Sequence, residues 1–251
     1  MAEQGAGGWY EAQPVAGKRV IVTGGTTGIG RAVARLLAAH GARVVIVGRH
    51  EDDLREALDD VGAAGEAHGL TADLSRLDDV RRLFATADER LGGLDVLVNN
   101  AAVYGDEWDE ESLEDAEYAI RTNLVGYVAC AHQAFDRMKG RGGHVVNVGS
   151  MSADLREPSG PTYVSTKAGI QAFSESFRKA ANEQGIKVTV VEPGKVSTDM
   201  IQKPDREKAR LEKEQKMLRP EDVAACVFFA LTQPDRCDVV ALQVRPHLQV
   251  I

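Results

Sequence analysis

An apolar segment that leads through a glycine-rich turn into a helix constrains the fold of this chain most. Residues 18–23 read Lys-Arg-Val-Ile-Val-Thr, a composition typical of a buried parallel strand. The turn that follows carries Gly24, Gly28 and Gly30, and the next ten residues place apolar side chains at helical spacing. A second apolar run begins at Arg43. This order of strand, turn, helix and strand predicts the first unit of a parallel α/β sheet.

The glycine turn also predicts a binding site. Glycines let backbone N–H groups approach a pyrophosphate, and the positive end of the following helix attracts the same group. The alternative is a glycine-rich turn without a ligand, and the flanking strands favour the first interpretation. The residues expected to form this phosphate-binding turn are Gly24, Thr26, Thr27, Gly28, Ile29 and Gly30.

Apolar runs and helical periodicities alternate along the whole chain. Strands are predicted at residues 18–24, 43–48, 67–72, 94–99, 143–149, 186–192 and 238–244. Helices are predicted at residues 28–40, 51–61, 75–91, 112–139, 162–184 and 220–232. This alternation predicts one doubly wound α/β domain, a Rossmann fold with a seven-stranded parallel sheet and helices on both faces. We expect residues 18–251 to form the domain and residues 1–17 to be a flexible tail.

A tyrosine and a lysine one helical turn apart carry the chemistry. Tyr163 and Lys167 fall on one face of the helix predicted at residues 162–184. An ammonium near a phenol favours the phenolate and lowers the tyrosine pKa, which suits acid–base work near neutrality. The pair alone is weak evidence for catalysis, because an aromatic core residue and a solvated lysine can have the same spacing. Ser150 closes a predicted strand thirteen residues before Tyr163.

Several motifs occur in the order found in one known family. They are Thr23-Gly24-x-x-x-Gly28-x-Gly30, Asn99-Asn100-Ala101-Ala102, Asn123, Ser150, Tyr163-x-x-x-Lys167 and Pro193-Gly194-x-x-x-Thr198. Together they resemble the short-chain dehydrogenase/reductase family in its single-domain form, over residues 18 to about 231. Alanine stands where the family's Asn-Asn-Ala-Gly motif ends in glycine.

The resemblance implies hydride transfer between a nicotinamide and a carbonyl or alcohol. It assigns Tyr163 as acid and base, Ser150 as a hydrogen-bond donor to the substrate oxygen, and Lys167 as a partner of Tyr163 and the nicotinamide ribose. It assigns Asn123 to a water that links Lys167 to solvent. Ser152 is a rival for the serine role, but its spacing to Tyr163 fits worse.

The end of the second strand predicts the cofactor. Gly48 stands where NAD enzymes of this architecture carry an acidic residue, and Arg49 follows. An arginine can bind a 2′-phosphate, so NADP is expected and NAD is less favoured; the alternative is a solvated loop arginine. Asp73 is either the family's aspartate near the adenine or the N-cap of the next helix. The remaining cofactor contacts implied by the resemblance are Leu74, Asn100, Tyr163, Lys167, Pro193, Gly194, Val196 and Thr198.

Composition narrows the partners. The formal net charge of −8 disfavours nucleic-acid binding. The three scattered cysteines predict neither a metal site nor a disulfide framework, and they suit a reducing cytoplasm. No apolar run approaches the ~20 residues of a membrane span, and residues 1–17 lack a signal-peptide pattern. The sequence contains no Gly-x-Ser-x-Gly elbow, the motif that would indicate a serine hydrolase.

Residues 194–219 are expected to form a substrate lid, because the family places its substrate loop after the Pro-Gly-x-x-x-Thr element. Residues 204–217 are dense in charges of both signs, so an ordinary surface helix is an equal alternative. The C-terminal segments 219–224 and 242–246 resemble the 3-hydroxy acid and serine dehydrogenase branch, which favours a small polar substrate. The alternatives are a reductase of a bulkier ketone and an NADP-binding sensor or scaffold without turnover. By analogy with the family, a homodimer or homotetramer is expected.

Overall fold

The computed structural model describes residues 12–104, 108–156 and 160–249. Its strands are β1 (Arg19–Thr23), β2 (Arg43–Gly48), β3 (Ala67–Thr71), β4 (Val96–Asn99), β5 (Gly143–Val148), β6 (Ile186–Pro193) and β7 (Ala241–Val244). Its helices are α1 (Gly28–Ala39), α2 (Glu51–Ala64), α3 (Leu77–Leu91), α4 (Leu113–Ile120), α5 (Gly126–Met138), α6 (Ser152–Leu155), α7 (Pro161–Asn182), α8 (Asp205–Lys213) and α9 (Pro220–Leu231). A π-helical turn, Arg121–Val125, joins α4 to α5.

The strands form one parallel sheet in the order β3-β2-β1-β4-β5-β6-β7. The order reverses direction between β1 and β4, which is the switch point at which open α/β sheets bind ligands. The predicted doubly wound fold with seven parallel strands is therefore confirmed.

The two faces of the sheet bury separate apolar cores. Successive side chains of a strand point to opposite faces, so Val20 and Val22 of β1 pack with α1, α2 and α9. Ile21 points the other way and packs with α3 and α5. Because helices cover both faces, β1 needs apolar residues at every internal position, and its sequence supplies them.

Three elements differ from the sequence prediction. The helix predicted at residues 112–139 is interrupted by the π-helical turn, which periodicity does not reveal. The four-residue helix α6 was not predicted, because so short a segment has no readable period. The last strand begins at Ala241 rather than at residue 238.

Part of the predicted flexible tail packs on the domain. Val15 is buried, the amide of Gln13 donates to the carbonyl of Thr232, and the amide of Gly17 donates to the carbonyl of Gly41. The contacts of Gln13, Val15 and Gly17 therefore attach the end of the expected tail, residues 1–17, to the domain. Residues 1–11 lie outside the described part of the chain.

The segment that follows β6 leaves the sheet and returns to its starting point. Val196 and Leu218 form an isolated bridge that closes the base of the excursion. Between them lies α8, a charged helix without a buried residue. The amide of Leu248 donates to the carbonyl of Gln215, which ties the C-terminal segment to the returning strand of this excursion.

Candidate active site

The glycine turn after β1 is compressed against its neighbours. A Cβ atom at position 30 would lie 2.0 Å from the carbonyl oxygen of Gly24, so Gly30 accepts no other residue without a backbone shift. Gly24 itself has a φ of 61°, in the left-handed region that favours glycine. Nδ2 of Asn100 donates to the carbonyls of Thr23 and Gly24 at 3.0 and 3.1 Å. The turn is thus fixed by Asn100 at the switch point.

The loop after β6 faces the same turn. A Cβ atom at position 28 would lie 3.1 Å from Cγ2 of Thr198, so the Gly28 backbone and this threonine are neighbours. Val196 is buried beneath the loop. Pro193 ends β6 beside β7, and the amide of Gly194, the next residue, donates to the carbonyl of Val244. The structure therefore brings together the predicted glycine turn and the predicted Pro193–Thr198 segment. Thr27 precedes α1 without a side-chain cap, and Ile29 lies in its first turn.

Ser150 and Tyr163 form the centre of the site. Ser150 is buried directly after β5, and Tyr163 lies in the first turn of α7 with part of its surface exposed. Burial raises the pKa of Tyr163 to about 12, and a hydrogen bond with Ser150 opposes this rise. The Ser150 hydroxyl donates to the hydroxyl of Ser152 at 3.1 Å and accepts from the Ser152 amide at 3.1 Å, so the rival serine holds Ser150 in place.

Lys167 lies deep in the protein, with 2% of its surface exposed. Its Nζ donates to the carbonyl of Val148 at 2.9 Å and lies 5.6 Å from the centre of the Tyr163 ring. Burial lowers the pKa of Lys167 to about 7. The sequence predicted a lowered tyrosine pKa; the structure gives a raised one. The reason is that loss of water disfavours the phenolate, while the neighbouring lysine loses its own charge near neutrality.

Asn123 lies in the π-helical turn and is fully buried. Its side-chain amide exchanges two hydrogen bonds of 2.8 Å with the backbone of Val103. Its Nδ2 also lies 3.4 Å from the hydroxyl of Thr166, the residue before Lys167. Asn123 therefore fixes the segment after β4 against α7. Single π-helical turns of this kind occur often at functional sites.

A polar cavity lies at the other end of the site, next to β2 and β3. It has a volume of about 370 Å³ and is lined by Arg49, Thr71, Ala72, Asp73, Asp79, Arg82 and Tyr118. We call it the Arg49 cavity. Nη1 of Arg49 donates to the hydroxyl of Tyr118 at 2.8 Å.

Gly48, the residue before Arg49, packs closely against the glycine turn. A Cβ atom at position 48 would lie 2.4 Å from Cγ2 and 2.5 Å from Oγ1 of Thr26. Thr26 is buried in the glycine turn, so the clash is not easily relieved. An acidic side chain therefore does not fit at the position where such folds hold a ribose hydroxyl.

Asp73 is not the N-cap of α3, which begins at Leu77 after Arg76. Its Oδ1 accepts from the amide of Ser75 at 3.0 Å, a local turn contact, and from the Tyr118 hydroxyl at 3.3 Å. Its side chain lines the Arg49 cavity. Leu74 is buried, and its carbonyl packs against the start of α5.

Three tyrosines near these residues were missed by sequence reasoning. Tyr118 contacts Arg49, the ring of Tyr104 lies 4.9 Å from that of Tyr163, and the ring of Tyr127 lies 5.4 Å from Nζ of Lys167. Tyr127 follows Asn123 by four residues, so helical spacing could have found it. Nothing in the local pattern identifies the other two.

Metal-binding clusters and membrane-spanning helices are both absent from the described residues. No group of three or more His, Cys, Asp and Glu side chains within the described residues is arranged to hold a metal ion. None of the helices in residues 12–104, 108–156 and 160–249 combines the length and apolar character of a membrane span.

Comparisons with known proteins agree on one family. The family model described as short chain dehydrogenase matches residues 18–209. An uncharacterised oxidoreductase of Staphylococcus aureus is 31% identical over 231 residues, which cover 91% of this chain and 97% of that protein.

Solved structures give the same result. A short chain dehydrogenase from Burkholderia cenocepacia in complex with NADP matches with a TM-score of 0.82 and 28% identity, covering 93% of this chain and 98% of that one. A dehydrogenase/reductase from Sinorhizobium meliloti matches with a TM-score of 0.82 and 26% identity, covering 93% and 96%.

Proposed function

The chain belongs to the short-chain dehydrogenase family of oxidoreductases, and from this premise we propose that it reduces a small polar carbonyl with NADPH. The observation that carries the proposal is the buried Ser150 hydrogen-bonded to Tyr163, one helical turn from the buried Lys167. A phenol, a hydroxyl and an amine around one cleft can act on a single substrate oxygen.

The raised pKa of Tyr163 suits its proposed role as a proton donor in carbonyl reduction. A phenol with a pKa of about 12 keeps its proton at neutral pH, so it is ready to donate that proton to an oxygen that gains negative charge. Ser150 donates a hydrogen bond to the same oxygen, and the pair holds the carbonyl in place. A bound nicotinamide supplies the hydride to the carbonyl carbon.

Lys167 is proposed to return the proton. With a pKa of about 7, it exists in both protonation states near neutrality and can exchange protons without a large cost. When it carries its charge, it stabilises the phenolate that remains after proton donation. Asn123 holds the buried end of this route through its contacts with Val103 and Thr166.

The residues of the glycine turn fit a dinucleotide. Close contacts at Gly24 and Gly30 leave a flat backbone surface beside the N-terminus of α1, which favours an anionic group. NADP is preferred over NAD in this proposal for two reasons. The Gly48 position has no room for the acid that binds a ribose hydroxyl, and Arg49 offers a cation that pairs with no carboxylate among the described residues.

Residues 194–219 are proposed to cover the substrate. They include the bridge between Val196 and Leu218 and the exposed helix α8. A segment that buries little is free to change position when a ligand binds. A homodimer or homotetramer is also proposed, because Val125 at the end of the π-helical turn and Val128 in the first turn of α5 keep 38 and 39% of their surface exposed.

The test is NADPH consumption with a panel of carbonyls, run beside NADPH binding by fluorescence. We expect turnover with 3-oxo acids and small aldehydes. Binding without turnover on any carbonyl would favour a sensor, and turnover confined to bulky ketones would overturn the substrate class. If NADPH does not bind at all, the proposal fails at its first step.

A further inference from the structure

Tyr118 connects two oppositely charged side chains in the Arg49 cavity. Its hydroxyl accepts a hydrogen bond from Nη1 of Arg49 at 2.8 Å and donates one to Oδ1 of Asp73 at 3.3 Å. The guanidinium carbon of Arg49 lies 5.7 Å from the centre of the Tyr118 ring, a cation–π distance. The three residues come from the end of β2, the segment after β3 and α4. Tyr118 therefore contacts the arginine with both its hydroxyl and its ring.

The carboxylates of the cavity are already engaged. Asp73 accepts from the amide of Ser75 as well as from Tyr118, and Oδ2 of Asp79 accepts from the amide of Asp73 at 2.8 Å. Asp79 also lies 3.3 Å from Arg82. Among the described residues, Tyr118 is the only side chain or backbone group that hydrogen-bonds Arg49. Arg49 therefore keeps most of its five N–H donors for a ligand.

The Tyr118 phenol has two effects on the exposed Arg49: it restricts the arginine's rotamers, and it separates the arginine from Asp73. Arginine has many rotamers, and fixing them on binding costs conformational entropy. An arginine next to a free aspartate would also pair with it directly and lose its attraction for an anion. A hydroxyl can accept from the cation and donate to the anion, so it holds the arginine while it keeps the two charges apart.

We propose that Tyr118 is a positioning residue that determines specificity for a phosphate monoester on the 2′-oxygen of an adenosine ribose. It does so by holding Arg49 oriented toward that phosphate and away from Asp73. The inference rests on the proposed function, because it requires that the chain bind a dinucleotide.

The test compares 2′,5′-ADP with 5′-AMP, two fragments that differ only in the 2′-phosphate, by calorimetry. The variant Tyr118→Phe keeps the ring and removes the hydroxyl. We expect it to bind 2′,5′-ADP about tenfold more weakly than the wild type, with unchanged affinity for 5′-AMP. Glu117→Gln is the matched control: next to Tyr118 on α4, it neutralises the carboxylate that accepts from Arg121 at 2.8 Å and leaves the cavity lining unchanged, so both affinities should stay the same.

A double-mutant cycle separates positioning from direct binding. If Tyr118 acts through Arg49, Arg49→Ala abolishes the preference for 2′,5′-ADP, and adding Tyr118→Phe weakens binding no further. Fully additive losses, or an equal loss for both nucleotides, would overturn the inference. So would a Tyr118→Phe variant with the wild-type preference. If the wild type binds neither nucleotide, the proposed function falls and takes this inference with it.

Discussion

The two ends of the proposed cofactor site differ in their access to water. At the catalytic end, Lys167 and Asn123 are buried, and the pKa values of Tyr163 and Lys167 are shifted far from their ordinary values. At the other end, Arg49 is exposed and held by a hydrogen bond to Tyr118. Burial therefore tunes proton affinity where protons move, whereas an exposed cation serves recognition, which needs only charge and geometry.

The largest expected effect is at the buried catalytic end of the site. Replacing Tyr163→Phe removes the proposed proton donor and keeps the ring, so kcat should fall about a thousandfold. The NADPH dissociation constant should change less than about twofold, because the phenol contributes little to recognition. Steady-state kinetics and fluorescence titration measure the two quantities. Turnover at the wild-type rate would show that another group supplies the proton.

The second prediction separates Ser150 from other serines near the site. Ser150→Ala removes the hydroxyl that we propose stabilises the substrate oxygen, so kcat should fall about a hundredfold. Ser165→Ala is the matched control, since that exposed hydroxyl on α7 donates to the carbonyl of Thr162. Equal losses in the two variants would indicate a general disturbance of α7 instead of a specific role for Ser150.

The third prediction concerns the cost of burying an amine. In the unfolded chain Lys167 holds its proton up to about pH 10.5, but in the folded protein only up to about pH 7. Between these pH values folding releases a proton, so this residue's contribution makes the protein more stable as pH rises. Below pH 7 Lys167 is charged in both the folded and the unfolded state, so the full free-energy cost of burying its charge lowers the stability of the fold.

Lys167→Met should therefore abolish turnover and yet raise the free energy of unfolding at pH 6 by about 1 to 3 kcal/mol. The carbonyl of Val148 keeps a donor in the variant, because the Tyr127 hydroxyl also bonds it at 3.2 Å. Urea denaturation at pH 6 and pH 9 measures the difference, which should shrink at the higher pH. A variant that is less stable than the wild type at pH 6 contradicts the prediction.

The smallest expected effect is at the exposed end of the site, where Arg49 lies. Because Arg49 is exposed, salt should screen its attraction for a 2′-phosphate and weaken NADPH binding about threefold to tenfold between low and high ionic strength. NADH lacks that phosphate, so its binding should respond less, and kcat at saturation should not change. Equal salt dependence for NADPH and NADH would remove Arg49 from the proposal.

The fold was predictable because it depends on patterns that the sequence displays directly. Parallel strands covered on both faces must be apolar throughout, and the helices between them repeat every 3.6 residues. The ends of most elements lie within three residues of the prediction. The π-helical turn was not predictable, because the apolar spacing does not mark it and the partner of its buried Asn123 is the backbone of Val103, twenty residues earlier.

The candidate site divides in the same way. Tyr163 and Lys167 were found because their spacing on one helix is visible in the sequence. Tyr118 was missed because it meets Arg49 across 69 positions of sequence, and only the packing of α4 over the end of β2 joins them. The sign of the Tyr163 pKa shift was missed for a related reason: sequence reveals the neighbouring charge, whereas burial follows from the whole fold.

The π-helical turn at Arg121–Val125 sets the rotational phase between the two ends of the site. One residue of an α-helix corresponds to about 100° around its axis, so one inserted position turns everything before it by that angle relative to everything after. Tyr118 precedes the turn and reaches Arg49, while Tyr127 follows it and faces Lys167. Deleting a single residue from this turn would therefore rotate Tyr118 away from Arg49 relative to Tyr127 and Lys167. One change would disturb both cofactor recognition and proton transfer.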